Sequence, residues 1–274
     1  MRLSPRHPRY ASLKVRSRLA AAHRRGLVVS EGLIAQGRGE AFDYLLGERT
    51  TAGARAAERV AAEWLLAARH PVVSVNGNVA ALAAREVADL ARAVPGLCIE
   101  VNLFHRTARR ARQVAGALRS RGVRTVLGVR PTATIPGLPS DRAKVDRRGI
   151  WTADVCLVPL EDGDRAEALR ALGKRVISVD LNPLSRTSRA ADLPIVDEVR
   201  RALAEIARQA VRRRALGRTV RFSPFDRRAA LAAALAEIAR VLNRAAVPRP
   251  TARPRARASP RRSQGSAGRK RRTR

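Results

Sequence analysis

Aromatic side chains make up only 3% of this 274-residue chain, and lysine is nearly absent: Lys14, Lys144, Lys174 and Lys270 are all there are. So few rings argue against a single-strand nucleic-acid binder, which stacks bases on aromatic side chains between its cations. No zinc-finger spacing or RNA-recognition signature is present. There are two cysteines, Cys98 and Cys156, without CxxC spacing, and four scattered histidines, His7, His23, His70 and His105. That excludes a disulfide framework and makes a Cys/His metal site improbable; both cysteines read as reduced thiols in buried strands. No uncharged apolar run approaches the ~18–20 residues that span a bilayer. Met1–Arg9 lacks the apolar stretch of a secretory signal, so no membrane partner and a cytoplasmic location are expected. Acids are scarce too, 23 against 56 Lys+Arg, for a formal net charge of +33.

What is present is arginine and alanine, the usage of a GC-rich genome, with 45% hydrophobic residues, enough for a sizeable core. The charge is uneven. Residues 248–274 carry eleven basic residues and no acid among Pro and Ser, and read as a disordered Arg-rich tail. Residues 1–247 read as one domain in three parts: helical over 1–70, a Rossmann-like core over 71–213 and a helical end over 214–247. Helices are expected at Tyr10–Arg25, Gly32–Leu46 and Ala52–Ala68, the last with Thr50-Thr51 supplying an N-cap. From Pro71, short apolar runs alternate with helical stretches. Strands at 72–75, 98–103, 123–129, 155–159, 175–179 and 193–196 are separated by helices at 79–93, 106–121 and 165–172. Helices at 199–213 and 229–242 follow, and a Pro/Gly-containing connection spans 131–149. That alternation gives an α/β fold: a parallel, six-stranded Rossmann-like sheet with helices on both faces.

Ligands of such sheets bind beyond the carboxyl ends of the strands, where three polar segments fall. Asn76-Gly77-Asn78 opens a helix directly after the first strand, a place that favours phosphate, although the same residues suit a plain Asn-Gly turn. It is not GxGxxG, which argues against a nicotinamide-dependent dehydrogenase. Glu161, Asp162 and Asp164 follow the 155–159 strand and could hold Mg²⁺ or orient an amine, or could simply favour a helix start. Asp180-Leu181-Asn182, with Arg186 and Ser188 further along, offers a group for each part of a nucleotide, against an Asn-Pro turn as the plain reading. A fourth segment lies upstream: Gly37 and Gly39 flank Arg38, at roughly 1 kcal/mol of helix stability each, as if to allow close approach of a helix or ligand.

Five blocks in one order carry a resemblance: His7–Tyr10, Gly32–Leu45, Val73–Leu82, Val158–Arg165 and Val179–Arg186. Asn102-Leu103-Phe104 with Arg106-Thr107, Ile135–Leu138 and Lys144–Asp146 strengthen it. Over about residues 6–210 the chain resembles the archaeal 4-phosphopantoate–β-alanine ligases, or phosphopantothenate synthetases. That resemblance implies a Rossmann-like homodimer coupling 4-phosphopantoate to β-alanine with ATP, giving 4′-phosphopantothenate, AMP and diphosphate in coenzyme A synthesis. It implies ATP contacts at Arg16, Arg38, Asp180, Leu181, Asn182, Arg186, Thr187, Glu198 and Val199, with Mg²⁺. Thr187 stands where a serine is usual and keeps the hydroxyl. Glu198 stands where asparagine is usual, so either its backbone makes that contact or the contact is altered. Asn76, Gly77 and Asn78 are candidates for the phosphopantoate anion, and Glu161, Asp162 or Asp164 for β-alanine or metal. The competing class is a basic nucleic-acid-binding protein on the same fold, with the tail as its possible contact.

Overall fold

The computed structural model describes residues 4, 6, 7, 9–217 and 219–246. The Arg-rich tail and Pro8 of the His7–Tyr10 block lie outside the described residues. Three helices come first: α1 (Tyr10–Arg24), α2 (Ser30–Leu45) and α3 (Ala52–Ala67). Thr51, not Thr50, caps α3, accepting from Ala54 N at 3.1 Å. Five strands, β1 (Pro71–Val75), β2 (Cys98–Val101), β5 (Val155–Pro159), β6 (Arg175–Val179) and β7 (Leu193–Ile195), form one parallel sheet in the order β2-β1-β5-β6-β7. Between and after them run α4 (Gly77–Ala93), α5 (Ala108–Arg119), α6 (Gly163–Ala171), α7 (Arg186–Ala190), α8 (Val199–Ala215) and α9 (Arg227–Ala246). A two-stranded antiparallel piece, β3 (Ala133–Thr134) with β4 (Lys144–Val145), interrupts the long connection before β5.

The strands are buried on both faces, and successive residues enter different cores. Val73, Val75, Leu157, Ile177, Val179 and Ile195 join the large core under α1, α3, α4, α5 and α8. Val72, Cys156, Val158 and Val176 join a smaller core on the opposite face. Ile135, Leu138, Val145 and Ile150 also sit in that smaller core. The connection read from sequence as a plain Pro/Gly segment is therefore a structural layer, covering part of the face that α6 and α7 leave open.

The expected sixth strand is not formed. Residues 123–129 run beside β2 but pair only at Leu127, which donates to Ile99 O at 2.8 Å and accepts from Val101 N at 3.0 Å. Gly128 then takes φ +76°, where a methyl group would overlap the Val101 carbonyl, so the chain bends away after one bridge. Cys98, expected to be buried, is only half-buried at the start of β2, whereas Cys156 is buried and its thiol is pushed up to about 12 by desolvation. Residues 186–190, read as loop, form α7, because Ser185 accepts from Ser188 N and caps a short turn.

Candidate active site

The chain crosses from one side of β1 to the other between β2 and β5, and the strand ends diverge there. A cleft of about 610 Å³ opens at those carboxyl ends, with α2 across its top. Thirteen of the fifteen residues singled out from sequence line it: Arg38, Asn76, Gly77, Asn78, Glu161, Asp162, Asp180, Leu181, Asn182, Arg186, Thr187, Glu198 and Val199. Arg16 and Asp164 do not. Arg16, half exposed on α1, forms a two-pronged bond to Glu40 at 3.0–3.2 Å, and Tyr44 donates to the same carboxylate at 2.6 Å. The Glu40 bond holds the Arg16 guanidinium above its usual range. Asp164 accepts from Arg165 N at the start of α6.

Most of the polar side chains in the cleft are fixed by the fold. Asn76 caps α4 by accepting from Val79 N at 3.0 Å, and its amide donates to Pro159 O and Leu160 O. Asn78 donates to Gly32 O at 2.7 Å. Their side chains join β1, β5 and α2, and what faces the cleft is the first turn of α4, whose leading N–H groups have no helical partner. Gly77 is required here by a close approach. A methyl group would overlap the Leu27 carbonyl and come within 2.9 Å of Arg110 Nη2. Gly37 and Gly39 are not required in this way: nothing lies within 4 Å of a Cβ at Gly37, and Gly39 meets only Leu181 Cδ1 at 3.7 Å.

The three acids after β5 separate into three roles. Glu161 is buried between two arginines, Arg142 Nε at 2.7 Å and the fully buried Arg165. Asp162 also pairs with Arg142, at 2.7 Å, but keeps 45% of its side chain exposed. It occupies the N-cap position of α6 without making the capping bond. Among the described residues no group of three Asp, Glu, His or Cys could hold a metal ion. These acids thus do not form a metal cage on their own.

Across the cleft, Asp180 directly follows β6 and accepts from Asn182 N at 2.9 Å. Burial pushes its carboxyl up, opposed by bonds from Ser185 and Asn182 N and by the charge of Arg38. Thr187 donates to Glu161 O at 2.6 Å and ties this loop to the one after β5. Glu198 caps α8, accepting from Arg200 N and Arg201 N, and pairs with Arg200 at 3.0 Å. Its carboxylate is committed, which leaves its backbone for any ligand. Arg38 and Arg186 are exposed at the rim.

Sequence reasoning missed Leu103, Phe104, His105, Arg110 and Arg142, which line the far end of the cleft. They follow β2 or lie in the β3–β4 layer. The rule that ligands gather at carboxyl strand ends points to the first four. Arg142 carries no such signal, since nothing local says the connection folds back over the sheet.

A family model described as phosphopantothenate/pantothenate synthetase matches residues 53–241. The 4-phosphopantoate–β-alanine ligase of Methanospirillum hungatei is 57% identical over 202 residues, covering 74% of this chain and 82% of its own. The ligase of the same name from Thermococcus kodakarensis is 53% identical over 207 residues, with 74% and 79% covered. That of Methanosarcina mazei is 54% identical over 202 residues, again with 74% and 79% covered. With its parallel sheet and its cleft at the strand ends, the chain belongs to the phosphopantothenate/pantothenate synthetase family.

Proposed function

We propose that this protein is a 4-phosphopantoate–β-alanine ligase that consumes ATP and releases AMP and diphosphate. The observation that carries this reading is one shared cleft. It gathers the nucleotide candidates after β6 and β7 on one side, and the first turn of α4 with its neighbouring arginines on the other. A carboxylate is a poor acylating agent. One of its oxygens attacks the α-phosphorus of ATP, the bond to the β,γ-diphosphate breaks, and an acyl-adenylate forms. The unprotonated amine of β-alanine then attacks the acyl carbon, AMP leaves, and the amine gives up a proton.

Such chemistry needs positioning and charge neutralisation more than a reactive side chain. Arg38 and Arg186 supply cations at the rim, Asp180 and the Asn182 amide suit ribose and base, and the Thr187, Glu198 and Val199 backbones complete the wall. Arg16, held by Glu40, acts on the nucleotide only by releasing that carboxylate. The phosphate or carboxylate of phosphopantoate belongs at Asn76, Gly77 and Asn78. Mg²⁺ would arrive with the triphosphate, as such ions keep mostly water and phosphate ligands, and Asp162 is the one acid of the three that both lines the cleft and keeps its carboxylate partly exposed. Asp162 is equally placed for the β-alanine ammonium. A homodimer fits α2, which buries none of its own residues and leaves Ile34 72% exposed. A cytoplasmic location suits the pathway, and no described helix is long and apolar enough to cross a membrane. Among the described residues nothing favours the nucleic-acid alternative, and the tail named as its possible contact lies outside them.

The test is AMP release from ATP by purified protein, omitting each acid in turn. AMP formed only when 4-phosphopantoate and β-alanine are both present supports the ligase; no turnover with that pair refutes it. In the same assay Asp162→Ala should raise KM for β-alanine about tenfold or more, the scale of one charge-assisted contact. An unchanged KM would remove Asp162 from that role.

A further inference from the structure

The far end of the cleft holds a cation with no counter-ion. Arg110, on α5, donates through Nε to Leu27 O at 3.3 Å and through Nη1 to His105 O at 2.6 Å. Both acceptors are neutral carbonyls, and among the described residues no carboxylate lies within ion-pair distance of it. Burial pulls its guanidinium below the usual range, and the like charge of Arg142 pulls it further; only Glu31 opposes them. Arg142 differs: Glu161 and Asp162 neutralise it, so it forms the floor of the cleft. The remaining nitrogen of Arg110, Nη2, lies against the first turn of α4 where Gly77 has no side chain. Arg110 Nη2 thus sits beside the first turn of α4, whose leading N–H groups have no helical partner. A desolvated cation beside open donors calls for an anion.

Resting on the ligase reading, we propose that Arg110, together with the first turn of α4, binds the phosphate of the phosphorylated acid and so selects it over the unphosphorylated acid. The orientation follows from the chemistry. The carboxylate must meet the α-phosphate of ATP and so faces the Asp180–Asn182 side. The phosphate, at the other end of the molecule, is directed to Arg110 and the part of the cleft lined by Leu103, Phe104 and His105. Leu103 and Phe104 give an apolar wall for the dimethyl carbon between the two anions.

The experiment is steady-state AMP formation by the full chain, with Arg110→Met and Arg110→Lys. In Arg110→Met, KM for 4-phosphopantoate should rise about 100-fold while KM for ATP and β-alanine stay within about twofold, the pattern of a lost ground-state contact. Competitive inhibition by inorganic phosphate against phosphopantoate should disappear with it. Arg110→Lys should recover about tenfold of the loss, since a point charge replaces a planar fork. An unchanged phosphopantoate KM in both variants overturns the proposal. So does an equal rise in the ATP KM, which would assign Arg110 to the triphosphate, or a fall in kcat with no KM moved, which would make it purely structural. If Arg110→Met does not fold, Arg110→Lys alone decides by the same criteria. Wild-type turnover separates the two layers: without it the ligase reading falls, and with it only this assignment is at stake.

Discussion

Gly163→Ala should lower kcat/KM for AMP formation about 100-fold, the cost of displacing a binding group by roughly 1 Å. Gly163 begins α6 in a backbone conformation open to any residue, so conformational freedom is not why glycine stands there. The reason is space. A methyl group would overlap Arg186 Cβ and approach Arg186 C to 3.0 Å and Thr187 N to 3.1 Å, and the last two are backbone atoms. The turn after β5 and the start of α7 must then part, while Thr187 still pulls on Glu161 O. Arg186 and Thr187 are carried away from the cleft, and the Glu161–Arg142 floor shifts under the other end. ATP and phosphopantoate kinetics should both suffer. Gly37→Ala is the contrast: an open position in α2, where alanine should stabilise the helix by about 1 kcal/mol and raise Tm by a few degrees. If Gly163→Ala worked at close to the wild-type rate, the two loops would not need their present separation, and the cleft would be less preorganised than its contacts imply.

The comparison shows which physical signals survive in sequence. The five strands were legible because buried parallel strands are apolar on both faces, and 72–75, 155–159 and 175–179 stand out between charged helices. The helices were legible by periodicity, and their starts shifted by one or two residues where Asn76 or Thr107 takes up capping. The β3–β4 layer was not legible: Ile135, Leu138, Val145 and Ile150 follow neither a helical nor a strand period, and only the uncovered face of the sheet gives them a place. The sixth strand failed at Gly128, a glycine whose role depends on a carbonyl 27 residues earlier in the chain. Of the site, short polar loops at strand ends were visible, with Arg38 and Arg186, but Arg110 and Arg142 were not. In a chain with 56 Lys+Arg, composition cannot separate a cation that needs an anion from one on a solvated surface. Among the arginines that line the cleft, Arg110 differs in having neutral partners and a buried stem, which only the fold reveals.

Glu58→Gln should stabilise the protein at alkaline pH and leave it unchanged in mild acid. Glu58 lies on α3, fully buried beside Asp197, and neither of its carboxyl oxygens has a hydrogen-bond donor among the described residues. Asp197 takes the available donors: Thr50 Oγ1 at 2.6 Å, Glu198 N at 2.8 Å and Arg201 Nε at 2.8 Å. The proton of the pair therefore rests on Glu58, whose carboxyl is pushed up to about 9, first by burial and then by the charge of Asp197. An unfolded Glu releases that proton near pH 4.5. Between about pH 4.5 and 9 the native state thus holds a proton that the unfolded chain lacks, and stability falls as pH rises, by up to about 1.4 kcal/mol per unit. The contribution is whole below pH 4.5 and gone above 9. Glutamine keeps the shape and the donor without the titration, so at pH 8.5, four units up that slope, the variant should be more stable by about 5 kcal/mol, a rise of roughly 10–20 °C in Tm, while at pH 4.5 the two melting temperatures should coincide. Thermal melts across that range measure it, and a variant with the wild-type slope would place the proton elsewhere. The location explains why so costly a group matters. Asp197 precedes Glu198 and Val199 in the cleft wall, and Arg201 reaches from Asp197 to Asp43 at 2.5 Å on the helix that carries Arg38. A second negative charge at Glu58 would compete for Arg201 and loosen α2 from α8, so the pH that ionises Glu58 should also weaken ATP binding in the wild type and leave it intact in Glu58→Gln.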